Sequence, residues 1–180
     1  MKLMFASDLH GSAYYTRKLL QAYEKERPEK LVLLGDILYH GPRNDLPEGY
    51  APKEVIAMLN PLAEQILCVR GNCEAEVDQM VLDFPVMADY AVLFEQGKTL
   101  FLTHGHVFSS EKPPKLQKGN VLLTGHTHVP ACEDRGGWWY LNPGSVSIPK
   151  NGSWHGYMVL EEGTFFWKNL DGNVQMLEQL

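Results

Sequence analysis

Val-Leu-Leu-Thr-Gly-His-Thr-His, residues 121–128, is an apolar run of strand character that stops at a glycine and is followed at once by two histidines. Extended backbone places alternate side chains on one face, so the spacing predicts that His126 and His128 lean the same way. Gly125 permits a sharp bend where the strand stops. Neutral imidazole is the commonest protein ligand for a transition metal, so two of them at the end of a buried strand suggest a metal site. The competing reading is a polar turn after a core strand. The other strands decide between the two.

Working outward, the pattern recurs. Residues 2–6 are a short apolar run, read as a buried first strand, and end in Ser7-Asp8-Leu9-His10-Gly11. Ser12 can cap a helix through about residue 25, with Thr16, Leu19, Leu20 and Tyr23 on one face. Residues 31–34 read as a second buried strand ending in Gly35-Asp36, and residues 66–69 as a third followed by Arg70-Gly71-Asn72-Cys73-Glu74. A helix is expected from about residue 74 to 82. Strand, helix, strand begins a parallel unit with a right-handed crossover. Between the second and third strands, the glycines and prolines of residues 37–52 exclude a long helix or a central strand. They predict a long loop leaving the C-terminal end of a strand, where α/β proteins bind ligands. Pro52 fits the first turn of a helix whose apolar face is Val55, Ile56 and Leu59.

From Tyr90 onward strands follow one another without helices. Residues 90–94, a Gln96-Gly97 turn and residues 99–103 predict a hairpin, and its second strand ends in His104-Gly105-His106. Residues 107–120, with Pro113-Pro114 and the lysines Lys112, Lys115 and Lys118, read as a second long loop. Residues 131–135 and 138–141 flank Gly136-Gly137, another hairpin signal, and residues 156–160, 164–170 and 173–177 form a closing meander. Helices crowd the first half while strands fill both. Two mixed sheets packed face to face, with helices outside, satisfy that distribution.

Composition bounds the function. A chain of 180 residues can bury a sizeable core, and no repeat, low-complexity tract or linker breaks it, so a single domain over residues 1–180 is expected. Sixteen basic against 22 acidic residues give a charge of −6, which argues against an extended nucleic-acid surface. Cys68, Cys73 and Cys132 are odd in number and form no Cys-x-x-Cys pair, so a disulfide framework or structural zinc site is not expected and a reducing cytoplasm fits. The N-terminal apolar run is too short for a signal peptide and Asp8 interrupts it. No stretch approaches the roughly 20 apolar residues of a membrane helix. A cytoplasmic protein without membrane attachment is expected.

Five strand ends deliver metal-type ligands: Asp8 and His10, Asp36, Asn72, His104, then His126 and His128. Chance would scatter polar residues along strands rather than gather them at their ends. Seven nitrogen and oxygen groups are too many for one tetrahedral ion and suit two ions sharing a carboxylate. Hard oxygen with imidazole and no thiolate favours Mn, Fe or Zn over Ca or Cu(I). The expected cofactors are two divalent ions, Mn²⁺ first, with Zn²⁺, Fe²⁺ or Ni²⁺ as alternatives. Two such ions about 3.5–4 Å apart lower the pKa of a shared water and clamp a phosphoryl group for in-line displacement. With Asp8 and Asp36 ionised and the histidines neutral, the loaded site is positive, so an anionic phosphate can dock despite the acidic chain.

Asp-x-His, Gly-Asp, Gly-Asn-x-Glu, His-Gly-His and Gly-His-Thr-His, in that order, resemble the calcineurin-like metallophosphoesterases, and in particular their small bacterial and archaeal phosphodiesterases. The resemblance covers nearly the whole chain. It implies a four-layer α/β/β/α sandwich and hydrolysis of phosphodiesters by a hydroxide shared between two metals. It implies that Asp8, His10, Asp36 and His128 hold one ion, that Asp36, Asn72, His104 and His126 hold the other, and that Asn72 and His104 also serve catalysis. The choice of His104 over His106 comes from the family pattern, since spacing leaves both open. Many members have Gly-Asn-His-Asp or Gly-Asn-His-Glu, with the histidine near the leaving group. Cys73 stands there in this chain, which leaves open what protonates the leaving oxygen.

Arg43 and His40, in the loop after Asp36, and Cys73, beside Asn72, are candidates to touch substrate, because guanidinium geometry suits phosphate and imidazole can move protons. Their competing reading is an ordinary solvated loop. A small phosphodiester is the expected partner, and the sequence leaves a homo-oligomer open. A phosphomonoesterase or nucleotide pyrophosphohydrolase is the nearest alternative, and a non-catalytic interaction scaffold of the same fold the more distant one. A scaffold has no need of all seven ligands, and this chain keeps them all.

Overall fold

A run of apolar residues without alternation is satisfied by a strand buried on both faces. β1 (Leu3–Ala6) is such a strand, buried along its whole length in the computed structural model, which describes residues 1–179. It lies inside a six-stranded sheet. Parallel to it run β2 (Lys30–Leu33) and, beyond that, β3 (Ile66–Cys68). The second sheet contains β4 (Tyr90–Glu95), β5 (Lys98–Thr103), β6 (Val121–Leu123), β7 (Ala131–Asp134) and β8 (Trp139–Asn142), in the order β4-β5-β6-β8-β7. The chain then returns to the first sheet as an antiparallel meander, β9 (Gly156–Glu161), β10 (Thr164–Asn169) and β11 (Val174–Gln179), giving the order β11-β10-β9-β1-β2-β3. Both sheets mix parallel and antiparallel pairs, as the sequence pattern requires.

Alternation along β1 and β2 divides the core in two. Leu3, Phe5, Val32 and Leu34 face the second sheet, against Leu100, Leu102, Val121, Leu123 and Leu141. Met4, Ala6, Leu31 and Leu33 face outward, where Leu19, Ala22, Val55 and Leu59 of two helices cover them. Those helices are α1 (Ala13–Glu26) and α2 (Pro52–Leu59). Ser12 caps α1 by accepting the Tyr15 N–H at 3.1 Å, and Pro52 opens α2. On the outer side of the second sheet, Phe108 of the irregular segment 107–120 packs edge-on against Phe101 with ring centroids 5.5 Å apart. Among the described residues no helix is long and apolar enough to cross a membrane.

The helix expected over residues 74–82 is a correction: only one turn forms, α3 (Glu76–Gln79). Glu74 is turned inward, where its carboxylate accepts the N–H groups of Asp36, Ile37 and Gly71, so it cannot stand in an outward-facing first turn. After α3, Leu82, Phe84 and Val86 are buried at a period of two, which is the period of extended chain.

Glu26, at the end of α1, ties that helix to the first sheet. It accepts from Lys168 Nζ at 2.6 Å and the Tyr157 hydroxyl at 3.0 Å, and Lys2 Nζ lies 3.1 Å away. Burial alone would raise its carboxyl, but the bonds from Lys168, Lys2 and Tyr157 outweigh burial and hold it below the usual glutamate range. A lowered folded value means that the contribution to stability is present above the ordinary glutamate range and is lost as pH falls through the lowered value. Glu26→Gln should cost about 1–3 kcal/mol near neutral pH. Urea titrations should show the gap between wild type and variant closing as the medium is made acid; a gap that persists there would refute the ionic assignment.

Candidate metal centre

Asp8 and His10 follow β1, Asp36 follows β2, Asn72 follows β3, His104 follows β5, and His126 and His128 follow β6. The C-terminal ends of five strands from two sheets thus open on one place. The backbone there is not extended. Asp8 (φ 57°), His10 (47°), Asp36 (56°), His126 (66°) and His128 (61°) are all left-handed, a conformation that costs a non-glycine residue of order 1 kcal/mol or more. Alternation along a strand is therefore not what orients the two histidines, as the sequence pattern had suggested. His128 turns to Asp8 and His10, whereas His126 turns to Asp36 and His104.

Hydrogen bonds hold these bends. The His10 N–H donates to the Asp36 carbonyl at 2.9 Å, and the Asp8 carbonyl accepts from the hydroxyls of Ser145 and Ser147 at 2.9 and 3.0 Å. The Asn142 amide donates to the Gly125 carbonyl at 2.7 Å. Gly125 itself has no positive φ; its need is room, because a Cβ there would run into the Ser7 side chain. Gly71 likewise leaves space for the Asp36 and Glu74 carboxylates.

The histidine tautomers follow from their outer partners. Nδ1 of His10, His104 and His128 lies 2.8, 2.6 and 2.7 Å from the carbonyls of Tyr39, Leu34 and Ile148. A carbonyl can only accept, so each Nδ1 carries the hydrogen and each neutral ring turns its Nε2 lone pair inward. Nε2 of His10 and Nε2 of His128 face each other at 3.2 Å, and Asp8 Oδ1 lies 3.6 and 3.2 Å from them. That oxygen is buried without a hydrogen-bond partner. Across the site, His104 Nε2 lies 3.2 Å from His126 Nδ1, 3.1 Å from Asn72 Oδ1 and 3.4 Å from Asp36 Oδ2. Asp36 Oδ2 is also 3.7 Å from His10 Nε2, so this one oxygen faces both halves. Acceptors converging at such distances repel one another unless positive charge lies among them, and buried polar atoms are rarely left unpaired. The donor set fits two cations: Asp8, His10 and His128 on one side, and His104, His126 and Asn72 on the other, with Asp36 between.

The charge balance says the same. Burial opposes ionisation of Asp8, but the adjoining His10 and His128 rings and the charge of His104 hold its carboxyl well below the usual range. Burial lowers His104, yet the Asp36 and Asp8 carboxylates outweigh it and push the ring up to about 9. His126 is lowered by burial and by the charge of His104. The cluster draws in positive charge, as protons when nothing else is bound.

Around these residues lies an open cleft of about 450 Å³, walled in part by Arg43, Asn72, Cys73, His126 and Lys150. Arg43 is at the wall, while His40 is packed between the rings of Tyr39 and Tyr50. Cys73 is half-buried, its thiol pushed up by burial and then by the Asp36 charge. His106 stays outside the ligand clusters, with its ring 5.5 Å from that of His104. Two contributors escaped the sequence reading. Lys150 reaches the wall from the loop after β8, its N–H donating to the His128 carbonyl at 3.1 Å. Glu74 ties the backbone of residues 36, 37 and 71 together, and the Gly-Asn-x-Glu motif was its one trace.

Comparison with known proteins follows the same lines. The model of the calcineurin-like phosphoesterase superfamily domain matches residues 1–164. Phosphodiesterase YfcE of Escherichia coli K12 is 51% identical over 161 residues, covering 89% of this chain and 88% of that protein. The probable metallophosphoesterase YsnB of Bacillus subtilis is 22% identical over 167 residues, covering 89% and 83%. The solved structure of the phosphoesterase YfcE from E. coli aligns with a TM-score of 0.96 at 47% identity, covering 99% of each chain. Vps29 of Entamoeba histolytica, complexed with zinc, aligns with a TM-score of 0.64 at 21% identity, covering 100% of this chain and 98% of that one, a likeness of fold alone.

Because Asp36 Oδ2 faces both halves, Asp36→Asn should weaken binding of both ions, whereas His10→Ala should weaken one. Titration with Mn²⁺ followed by elemental analysis would measure this. Equal losses of stoichiometry in the two variants would rule out the shared carboxylate.

Proposed function

The chain belongs to the calcineurin-like phosphoesterase superfamily, and on that premise we propose that it is a phosphodiesterase that works with two divalent cations. The observation that carries the reading is the pair of inward-facing ligand sets joined by Asp36 Oδ2. Asp8, His10, Asp36 and His128 would hold one ion, and Asp36, Asn72, His104 and His126 the other. The ligand chemistry puts Mn²⁺ first, with Zn²⁺, Fe²⁺ or Ni²⁺ able to take its place. When bound, such ions supply a water acidified for attack and neutralise the charge of a phosphoryl group.

The chain's own groups do the rest. Arg43 and Lys150 stand on the cleft wall where phosphate oxygens would lie, and guanidinium geometry suits them. Carbonyls of Tyr39, Leu34 and Ile148 fix three imidazoles in one tautomer, so no reorganisation is needed at the moment of reaction. Asn72 and His104, in contact at 3.1 Å, are the pair best placed to touch a reacting phosphate. The Cys73 thiol, raised by burial and by Asp36, stays neutral and gives up its proton poorly. A small diester suits a cleft of this size. Free cysteines are in keeping with a cytoplasmic setting. The name of the E. coli relative, 51% identical, supports diesters over the alternatives of monoesters and nucleotide pyrophosphates. An interaction scaffold would not need this ligand set.

A chelator should abolish turnover and Mn²⁺ restore it. Full turnover in protein proved metal-free by elemental analysis would sink the proposal. With Cys73 in place of an imidazole, rates should fall steeply as the leaving-group pKa rises across a series of aryl and alkyl diesters, and Cys73→His should flatten that dependence. A flat plot for the wild type would reveal a proton donor elsewhere.

A further inference from the structure

A second depression adjoins the cleft and shares one wall with it. Cys73 lines both. Beyond Cys73 the surface changes character, from the polar wall of Arg43 and Lys150 to an apolar groove of about 390 Å³ formed by Tyr39, Tyr50, Ile56, Val77 and Val81. Its one charged side chain, Asp78, is engaged by the Ala75 N–H at 2.7 Å. The groove opens to solvent: Tyr39 is 42% exposed, Val77 61% and Val81 40%. Apolar side chains left uncovered together beside a site need a reason, whereas scattered ones do not. The groove is also fastened to the metal ligands. The carbonyl of Tyr39 orients His10 at 2.8 Å, and the ring of Tyr50 packs where a side chain at Gly11, next to His10, would otherwise stand.

We propose that this groove is the subsite for one organic arm of the substrate, and that the arm is apolar. A phosphodiester held at the ligand cluster by its phosphorus carries two ester arms. The Arg43 and Lys150 side can take only a polar or charged arm without stranding two cations against carbon. The groove offers mainly aromatic and aliphatic walls, with the Tyr39 and Tyr50 hydroxyls at its polar points and Asp78 already bonded to the Ala75 N–H, so most of it would desolvate a polar arm without compensation. A volume of about 390 Å³ lies within the range of small-molecule sites, roughly 300–1,000 Å³. The substrate class is therefore an unsymmetrical diester, with an aryl or alkyl group on one oxygen, rather than a diester with two sugar arms.

This inference rests on the phosphodiesterase reading, and the test separates the two. Alkylphosphonates from methyl to hexyl carry an anionic phosphorus group and a single arm on a C–P bond that hydrolysis does not break. Their binding to the Mn²⁺-loaded protein can be measured by calorimetry. A fully buried methylene is worth about fourfold in affinity, and the groove is open on one side, so hexylphosphonate should bind about ten- to a hundredfold tighter than methylphosphonate. In a Val77→Ser/Val81→Ser double variant, where both side chains are exposed and the fold is not at stake, that ratio should fall severalfold. Binding of every phosphonate with one affinity, whatever its length, would overturn the apolar subsite while leaving the phosphate site standing. Binding of none would overturn the phosphate reading and the subsite with it. Sedimentation of the same variant covers the remaining occupant: a wild-type oligomer that dissociates on substitution, with no dependence on chain length, would make the groove a contact between copies and not a substrate subsite.

Discussion

Everything at the centre of this molecule answers to one electrostatic constraint: buried carboxylate oxygens and imidazole nitrogens are aimed at one another, and only positive charge among them relieves their repulsion. Asp8 Oδ1, Asp36 Oδ2 and the inward nitrogens of His10, His104 and His128 lie within 3.2–3.7 Å of a neighbouring acceptor. Such a cluster is unfavourable by itself and has to be held together by structure around it. Two sheets packed face to face meet that need, because five strand ends can converge from both sides of a rigid apolar core. The serines at 145 and 147, the Asn142 amide and the Glu74 carboxylate then fix the loop backbones that no strand reaches.

The left-handed residues show where that holding is spent. Among the described residues nine non-glycine positions have positive φ; five are proposed ligands, and Arg27, Gln96 and Glu162 sit at the end of α1 and in hairpin turns. Aspartate and histidine tolerate this conformation better than branched residues do. A backbone bent left-handed immediately after a strand throws its side chain forward, over the strand end, rather than to either face of the sheet. That is how histidines two residues apart, His126 and His128, come to serve opposite halves of one site.

This explains what the sequence disclosed and what it withheld. Short unbroken apolar runs at residues 3–6, 31–34 and 121–123, too brief for helices and stopped by polar residues or glycine, are visible as buried strands, and turn pairs such as Gln96-Gly97 mark hairpins. The ligands are legible because their residue types are rare at the ends of apolar runs. Their partition between two halves came only through the family resemblance, since it depends on left-handed bends that periodicity does not encode. The overlong helix at residues 74–82 has a similar origin: its first residue is spent on three backbone N–H groups of distant loops. Lys150 was invisible because only the return of the chain from one sheet to the other brings it to the cleft. His40, whose place in the loop suggested substrate, packs against two tyrosine rings that the sequence pattern did not place beside it.

The central claim is that two cations complete the cluster around Asp36. It is tested most directly by diffraction from Mn²⁺-soaked crystals at the manganese absorption edge. Two anomalous peaks should flank the Asp36 carboxylate, one against Asp8, His10 and His128 and the other against Asn72, His104 and His126. A single peak, or peaks away from Asp36, would contradict it.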